Sequence, residues 1–134
     1  MHVQPYLDFS GRCDEALEFY TKAIGAEVEV LMRWKDCPDK SLRSEGNEQK
    51  VMHARVRVGN ARLMASDGRN SGQPNFAGIM LSLSTDSESD AHKLFAGLAE
   101  GGKVQMPLGK TFFSPCFGMV MDKFGVGWMI VVAQ

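Results

Sequence analysis

The chain has little cysteine, and none of it is closely paired. Cys13, Cys37 and Cys116 are an odd number at wide, irregular spacing with no CxxC among them, which excludes a disulfide framework, a zinc knuckle and a dithiol redox motif and fits a reducing compartment. An excess of either charge is also missing: 15 Lys and Arg stand against 16 Asp and Glu, for a formal net charge of -1, and neither sign forms long blocks. The field that draws proteins to phosphate backbones or anionic membranes is therefore weak, and nucleic acid is not an expected partner. No apolar run approaches the roughly 20 residues of a membrane span. The opening residues Met1 to Tyr6 lack the basic and apolar segments of a secretory signal. The expectation is a cytoplasmic protein with no membrane partner.

What is present is regular patterning. A chain of 134 residues suits a single domain, 1–134, able to bury roughly two-thirds of the surface its unfolded form exposes. Val3 to Phe9 alternates, with Leu7 and Phe9 on one side and Gln4, Tyr6 and Asp8 on the other, as in a half-buried strand. Ala16, Leu17, Phe19, Tyr20, Ala23 and Ile24 recur at helical spacing behind Asp14 and Glu15, and Gly25 is a suitable stop. Glu27 to Trp34 alternates again, with Val28, Val30 and Met32 expected on one face. Lys35 to Lys50 is polar and rich in turn formers, so a long mobile loop is expected there, a segment of the kind that serves as a lid. Lys50 to Val58 and Ala61 to Ser66 form a hairpin about Gly59-Asn60.

After a linker at 68–76 the order begins again. Ile79, Leu81 and Leu83 mark a strand, and Thr85-Asp86-Ser87-Glu88 has the spacing of a capping box. Ala91, Leu94, Phe95 and Leu98 make a helical stripe, which Gly101-Gly102 ends. Lys103 to Met106, Phe117 to Met121 and Trp128 to Val132 supply three more strands, the last following a turn at Asp122 and Gly125. The reading is an α+β fold of two βαβββ modules, module one 1–67 and module two 77–134, wrapped around a common cleft.

That order resembles the vicinal oxygen chelate superfamily of glyoxalase I, bleomycin resistance proteins and extradiol dioxygenases, and within it the PhnB-like branch, whose members have often carried a 3-demethylubiquinone-9 3-methyltransferase label. The residues that carry the resemblance are Pro5-Tyr6-Leu7-x-Phe9-x-Gly11, Glu15-Ala16 with Phe19-Tyr20 and Gly25-Ala26, Met52-His53-Ala54, Leu63-Met64-x-Ser66-Asp67, and Asp122-Lys123-Phe124-Gly125-Val126-x-Trp128-Met129-Ile130. They run through nearly the whole chain in the family's order. The sequence shows no glycine-rich strand-turn-helix of the kind that holds S-adenosylmethionine, so the methyltransferase label finds no support in it.

The resemblance implies a metal site only where each of four strands offers a nitrogen or oxygen donor to the cleft. Gln4 is one such donor. Met64 or Ser66 stands at the second position, Gly78 at the third and Met129 at the fourth, none of them suited to a hard ion, so neither a metal nor any other cofactor is expected. Met64, Met80 and Met129 read instead as flexible apolar lining of a core or pocket. His53 shares a strand face with Arg55 and Arg57: a solvated face on one reading, and on the other the best single candidate for acid-base work, with Arg55 able to grip a carboxylate or phosphonate. The aromatic stretch around Phe112 and Phe113 borders the family's pocket, whereas Cys116 beside it, lacking a local base, reads as an inert thiol. The ligand-binding candidates are thus Gln4, Tyr6, His53, Arg55, Met64, Met80, Phe113 and Met129, with His53 as the catalytic candidate. The missing donors favour a protein that binds a small organic molecule in an apolar cleft, like the bleomycin resistance branch; the alternatives are a metal-dependent lyase, isomerase or dioxygenase using unusual ligands such as Gln4 and His53, and a metal-free enzyme working through His53. A homodimer is expected from the resemblance.

Overall fold

A computed structural model describes residues 1–43, 46–68 and 73–134, and resolves them into two compact units, Met1–Pro74 and Asn75–Gln134. The first unit runs β1 (Tyr6–Asp8), α1 (Cys13–Ile24), β2 (Glu27–Arg33), β3 (Val51–Val58) and β4 (Ala61–Ser66). Its sheet has the order β1-β4-β3-β2, with β1 parallel to β4 and the other pairs antiparallel. The second unit repeats the plan with β5 (Met80–Thr85), α2 (Glu88–Ala99), β6 (Lys103–Gly109), β7 (Phe117–Met121) and β8 (Gly127–Val132) in the order β5-β8-β7-β6. Each half is therefore the βαβββ module that the periodicity indicated.

In the first unit α1 buries Cys13, Ala16, Leu17 and Tyr20 over a sheet face that contributes Leu7, Ala54, Val56 and Ala65. Gly25 ends the helix in the left-handed region at φ 68, a conformation an L side chain resists, and the amide that follows, Ala26 N–H, donates to the Tyr20 carbonyl at 3.2 Å. Arg12, at the N-cap of α1, makes no side-chain cap bond; the carboxylate of Asp67, at the far end of β4, accepts from Cys13 N–H at 2.8 Å and from Val51 N–H at 2.7 Å. In the second unit α2 buries Ala91 and Leu98 against a face built from Val120, Trp128, Ile130 and Val132. The turn before β8 is held by Asp122, whose Oδ1 accepts from Phe124 N–H and Val126 N–H and whose Oδ2 accepts from the Trp128 indole N–H at 2.9 Å.

Three local expectations are corrected. β1 is three residues long, not the span from Val3 to Phe9: Val3 is 92% exposed, and Pro5, with no N–H to give, contributes only its carbonyl, which accepts from Met64 N–H. β2 does not keep Val28, Val30 and Met32 on one face, because a bulge at Glu29 pairs Val28 with Val56 but Val30 with Arg55. The extra residue flips the alternation, so Val30 and Met32 fall on the face opposite the helix. The cap of α2 is Ser87, whose Oγ accepts from Asp90 N–H, and Thr85 is the last residue of β5, paired with Val132. Among its described residues Lys35 to Lys50 is a loop, as expected, with short 3-10 turns at Trp34–Asp36 and Lys40–Leu42 and with Trp34 and Cys37 buried. Ser44 and Glu45 of that segment, and 69–72 of the linker, lie outside the described residues.

Candidate functional site

Each sheet has one face against its helix and one turned away, and strand alternation distributes the candidate residues onto the second kind. In the first unit, Tyr6 pairs with Met64, Met64 with Arg55, Arg55 with Val30, and His53 with Met32. These residues share the face opposite α1. Tyr6 is 50% exposed and its ring centroid lies 6.0 Å from that of His53 at a tilt of 34°. Beside them stands an ion cluster. Arg62 forks Glu29, with Nε at 2.8 Å from Oε1 and Nη2 at 3.3 Å from Oε2, while Arg55 approaches the same carboxylate only to 3.5 Å and Arg57 pairs with Glu27 at 2.7 Å. The Arg62 fork, aided by Arg55 and Arg57, holds the Glu29 carboxyl below its ordinary value. Gln4 is half-buried and precedes β1, so it belongs to no strand.

In the second unit, Met106 pairs with Met119, Met119 with Met129, and Met129 with Ser82, so three methionines form a row across three adjacent strands. One register away, Met121 pairs with Gly127 and Gly127 with Met80, and Met80 lies over the bare backbone that this glycine leaves. The remaining side of the face is aromatic: Phe117 pairs with Val131, the Phe113 ring packs edge-on against Phe117 at 4.9 Å, and Phe112 meets Phe113 at 5.1 Å. Met106, Phe113 and Met121 are exposed. Of the sequence candidates, then, Tyr6, His53, Arg55 and Met64 are gathered on one sheet, and Met80, Phe113 and Met129 on the other.

Sequence reading overlooked Val30, Met32 and Arg62 in the first group and Met106, Met119 and Met121 in the second. Met119 and Met121 alternate with Val120 within a strand that the period marks, and that period puts them on one face; the pairing of β7 with β8 brings Met119 beside Met129. Met32 was hidden by the bulge, which leaves no mark in the sequence. The thiols are not part of either group. Burial, reinforced by the Asp67 carboxylate, pushes Cys13 far above the ordinary thiol range, and burial with a contribution from Glu88 raises Cys116.

A family model described as 3-demethylubiquinone-9 3-methyltransferase matches residues 1–131. The chain belongs to that family. Protein YjdN of Escherichia coli K12 is a 33% identical relative of this family member, the match covering 100% of the chain and 97% of YjdN. Among solved structures, PA1353 from Pseudomonas aeruginosa superposes with a TM-score of 0.88 at 41% identity, covering 100% of this chain and 98% of that one. A putative 3-demethylubiquinone-9 3-methyltransferase, PhnB protein, from Bacillus cereus gives 0.83 at 28% identity over 99% and 100% of the two chains. The fold alone extends further, to a glyoxylase/bleomycin resistance protein/dioxygenase domain from Frankia at 0.62 and 18% identity, covering 99% of this chain and 95% of that domain. The PhnB-like assignment within the glyoxalase/bleomycin resistance/dioxygenase fold therefore stands.

The metal site of that fold does not fit the donors of this family member. Gln4 stands ahead of its strand, Met64 offers a thioether, the Ser66 hydroxyl is buried and accepts from Gly68 N–H, Gly78 has no side chain, and Met129 lies in the methionine row. Hard divalent ions take oxygen and nitrogen donors, not thioethers. Among the described residues no group of three or more His, Cys, Asp and Glu side chains is arranged to hold an ion. No described helix is long and apolar enough to cross a membrane.

Proposed function

We propose that this chain binds a small organic molecule against a sheet face turned away from its helix, without the divalent-ion site used by metal-dependent proteins of the same fold. The observation that supports this is the row of Met106, Met119 and Met129, extended by Met80 and Met121. Strand positions favour β-branched and aromatic side chains. Methionine at five of them gives a surface that is flexible, polarizable and able to re-pack around irregular apolar or aromatic bodies. Phe113 and Phe117, at one end of the same face, add ring faces on which a flat molecule stacks.

Selective labelling of methionine methyl groups tests it. Titration with phenol, 1-naphthol and 8-anilinonaphthalene-1-sulfonate should give saturable shifts at Met119 and Met129, assigned by single Met→Leu replacements; no saturable shift there with any of the three overturns the proposal. Elemental analysis separates it from metal-dependent chemistry: protein purified from metal-replete medium should hold far less than one divalent ion per chain, and a stoichiometric ion would count decisively against it. Exposed Val28, Leu31 and Val104, which lie outside the methionine row, favour a homodimer in which a second copy covers apolar strand surface, checked by light scattering on the eluting protein. Three free, buried cysteines favour residence in the cytoplasm.

A further inference from the structure

The ion cluster on the first sheet is unevenly satisfied. Glu29, set out of register by the bulge, has both carboxylate oxygens engaged by the Arg62 fork at 2.8 and 3.3 Å. Arg57 has its own partner in Glu27 at 2.7 Å. Arg55 holds only the edge of the shared Glu29 carboxylate, at 3.5 Å, and its side chain is 46% exposed. Three guanidinium groups thus stand against two carboxylates, and the positive excess falls on the arginine with the loosest partner. That arginine is not isolated on the surface. It is flanked across the strands by Met64 and Val30, with His53 two residues along its own strand and Tyr6 beyond Met64. An apolar strip, a pair of rings and a planar cation able to accept a two-oxygen head group therefore lie on one surface.

We infer that Arg55 is an oxyanion subsite: the ligand of this sheet is a small apolar or aromatic molecule carrying a carboxylate or phosphonate, its body on Met64, Val30 and the Tyr6–His53 ring pair and its head group on the Arg55 guanidinium. This rests on the reading of the chain as a small-molecule binder and adds to it the charge and geometry of what is bound. Arg62 is a positioning residue, because by saturating Glu29 it keeps that carboxylate from competing for Arg55.

The test is a titration of the full chain with benzoate, phenylphosphonate and the neutral benzamide, followed at the Met64 methyl and the His53 ring proton. Both anions should bind at least about fivefold tighter than benzamide, and that preference should shrink as salt is raised. Glu29→Gln removes the competing carboxylate and should tighten both anions by about two- to fivefold, as expected for loss of an exposed ion pair, while leaving benzamide unchanged. A gain of this kind is not something partial unfolding produces. Arg55→Gln should erase the preference, Arg55→Lys should keep part of it, and Arg62→Gln should weaken the anions by releasing Glu29 to Arg55. Tighter binding of phenylphosphonate than of benzoate marks a phosphonate ligand, and the reverse order a carboxylate. An anion preference that survives Arg55→Gln, or no tightening in Glu29→Gln, overturns the subsite. If benzamide binds and the anions bind no better, or if none of the three perturbs these signals, the subsite falls; the binding reading falls only if the titration at Met119 and Met129 fails as well.

Discussion

Removing one carboxylate should reveal how the first unit is held together. Asp67 is 4% exposed and joins three elements: it ends β4, its Oδ1 accepts from Cys13 N–H at the start of α1, and its Oδ2 accepts from Val51 N–H at the start of β3. Arg12 at the cap position does not substitute for it, since it makes no side-chain cap bond. Asp67→Ala leaves two buried amides without an acceptor. A hydrogen bond to a charged group contributes about 1.5–3 kcal/mol, so the loss should be about 3–5 kcal/mol once the two are allowed to overlap. That is a large part of the 5–15 kcal/mol typical of a whole domain. Asp67→Asn keeps the shape but turns an NH2 toward one of the two amides, and should cost about 2–3 kcal/mol. Urea denaturation followed by far-ultraviolet circular dichroism reads both variants as a lower midpoint at an unchanged slope. The expected order is Ala below Asn below wild type. Either variant within about 1 kcal/mol of wild type would show that the carboxylate does not carry these elements.

Asp122 does comparable work in the second unit, and Asp122→Asn should cost about 1–3 kcal/mol, because an amide nitrogen cannot accept from the Trp128 indole as Oδ2 does. The accompanying change in Trp128 emission distinguishes this local loss from a global one. Arg33 forks Asp14 at 2.9 Å through each nitrogen and holds the Asp14 carboxyl below its ordinary value. A depressed carboxylate contributes stability that is complete above its unfolded pKa and is lost as the pH falls through the folded one. Because Asp14 is 58% exposed, Asp14→Asn should remove no more than about 1 kcal/mol at neutral pH and flatten the acid limb of the stability curve; an unchanged limb refutes the assignment. Cys13 and Cys116 should react with a disulfide reagent only at the rate of unfolding, and stability should fall as the pH rises past the ordinary thiol value, since raised thiol pKa values favour the protonated, folded form. Rapid stoichiometric labelling of the native protein would contradict this.

Local signals carried the fold well where the physics is local. The stripe of α1, its acidic first turn and its Gly25 stop are all contained within a few residues, and the helix runs from Cys13 to Ile24 as that pattern indicates. The Asp122 to Gly125 turn and the strand after it are of the same kind. What escaped depends on partners distant in sequence. The bulge at Glu29 is a property of the pairing of β2 with β3, and no residue type marks it. Asp67 caps a helix 54 residues away, beyond the reach of any capping motif. The candidate site was legible in its placement only: His53, Arg55 and Met64 could be put on strand faces by period alone. Their ion partners could not, because Glu29 and Arg62 meet across 33 residues of chain.

The family's description names a methyltransferase, and the helices supply a physical argument about that name. An open α/β methyltransferase holds its cofactor at the end of a parallel strand, where a glycine-rich turn leads into a helix whose free N–H groups face the ligand. Here the corresponding position after β1 is already filled: the first amide of α1 donates to Asp67, and the turn before it is folded back by the Asp8 carboxylate, which accepts from Ser10 N–H at 2.8 Å. After β5 the Ser87 hydroxyl takes the same role at α2, accepting from Asp90 N–H. At each helix start one of the N–H donors is thus already taken by a side chain, and a carboxylate beside α1 repels the carboxylate of the methionine moiety. Calorimetric titration of the full chain with S-adenosylmethionine should therefore show no saturable binding up to millimolar concentration. Saturable binding that Asp67→Asn or Ser87→Ala alters would mean that a helix start accepts the cofactor after all, and the argument from occupied caps would have to be abandoned.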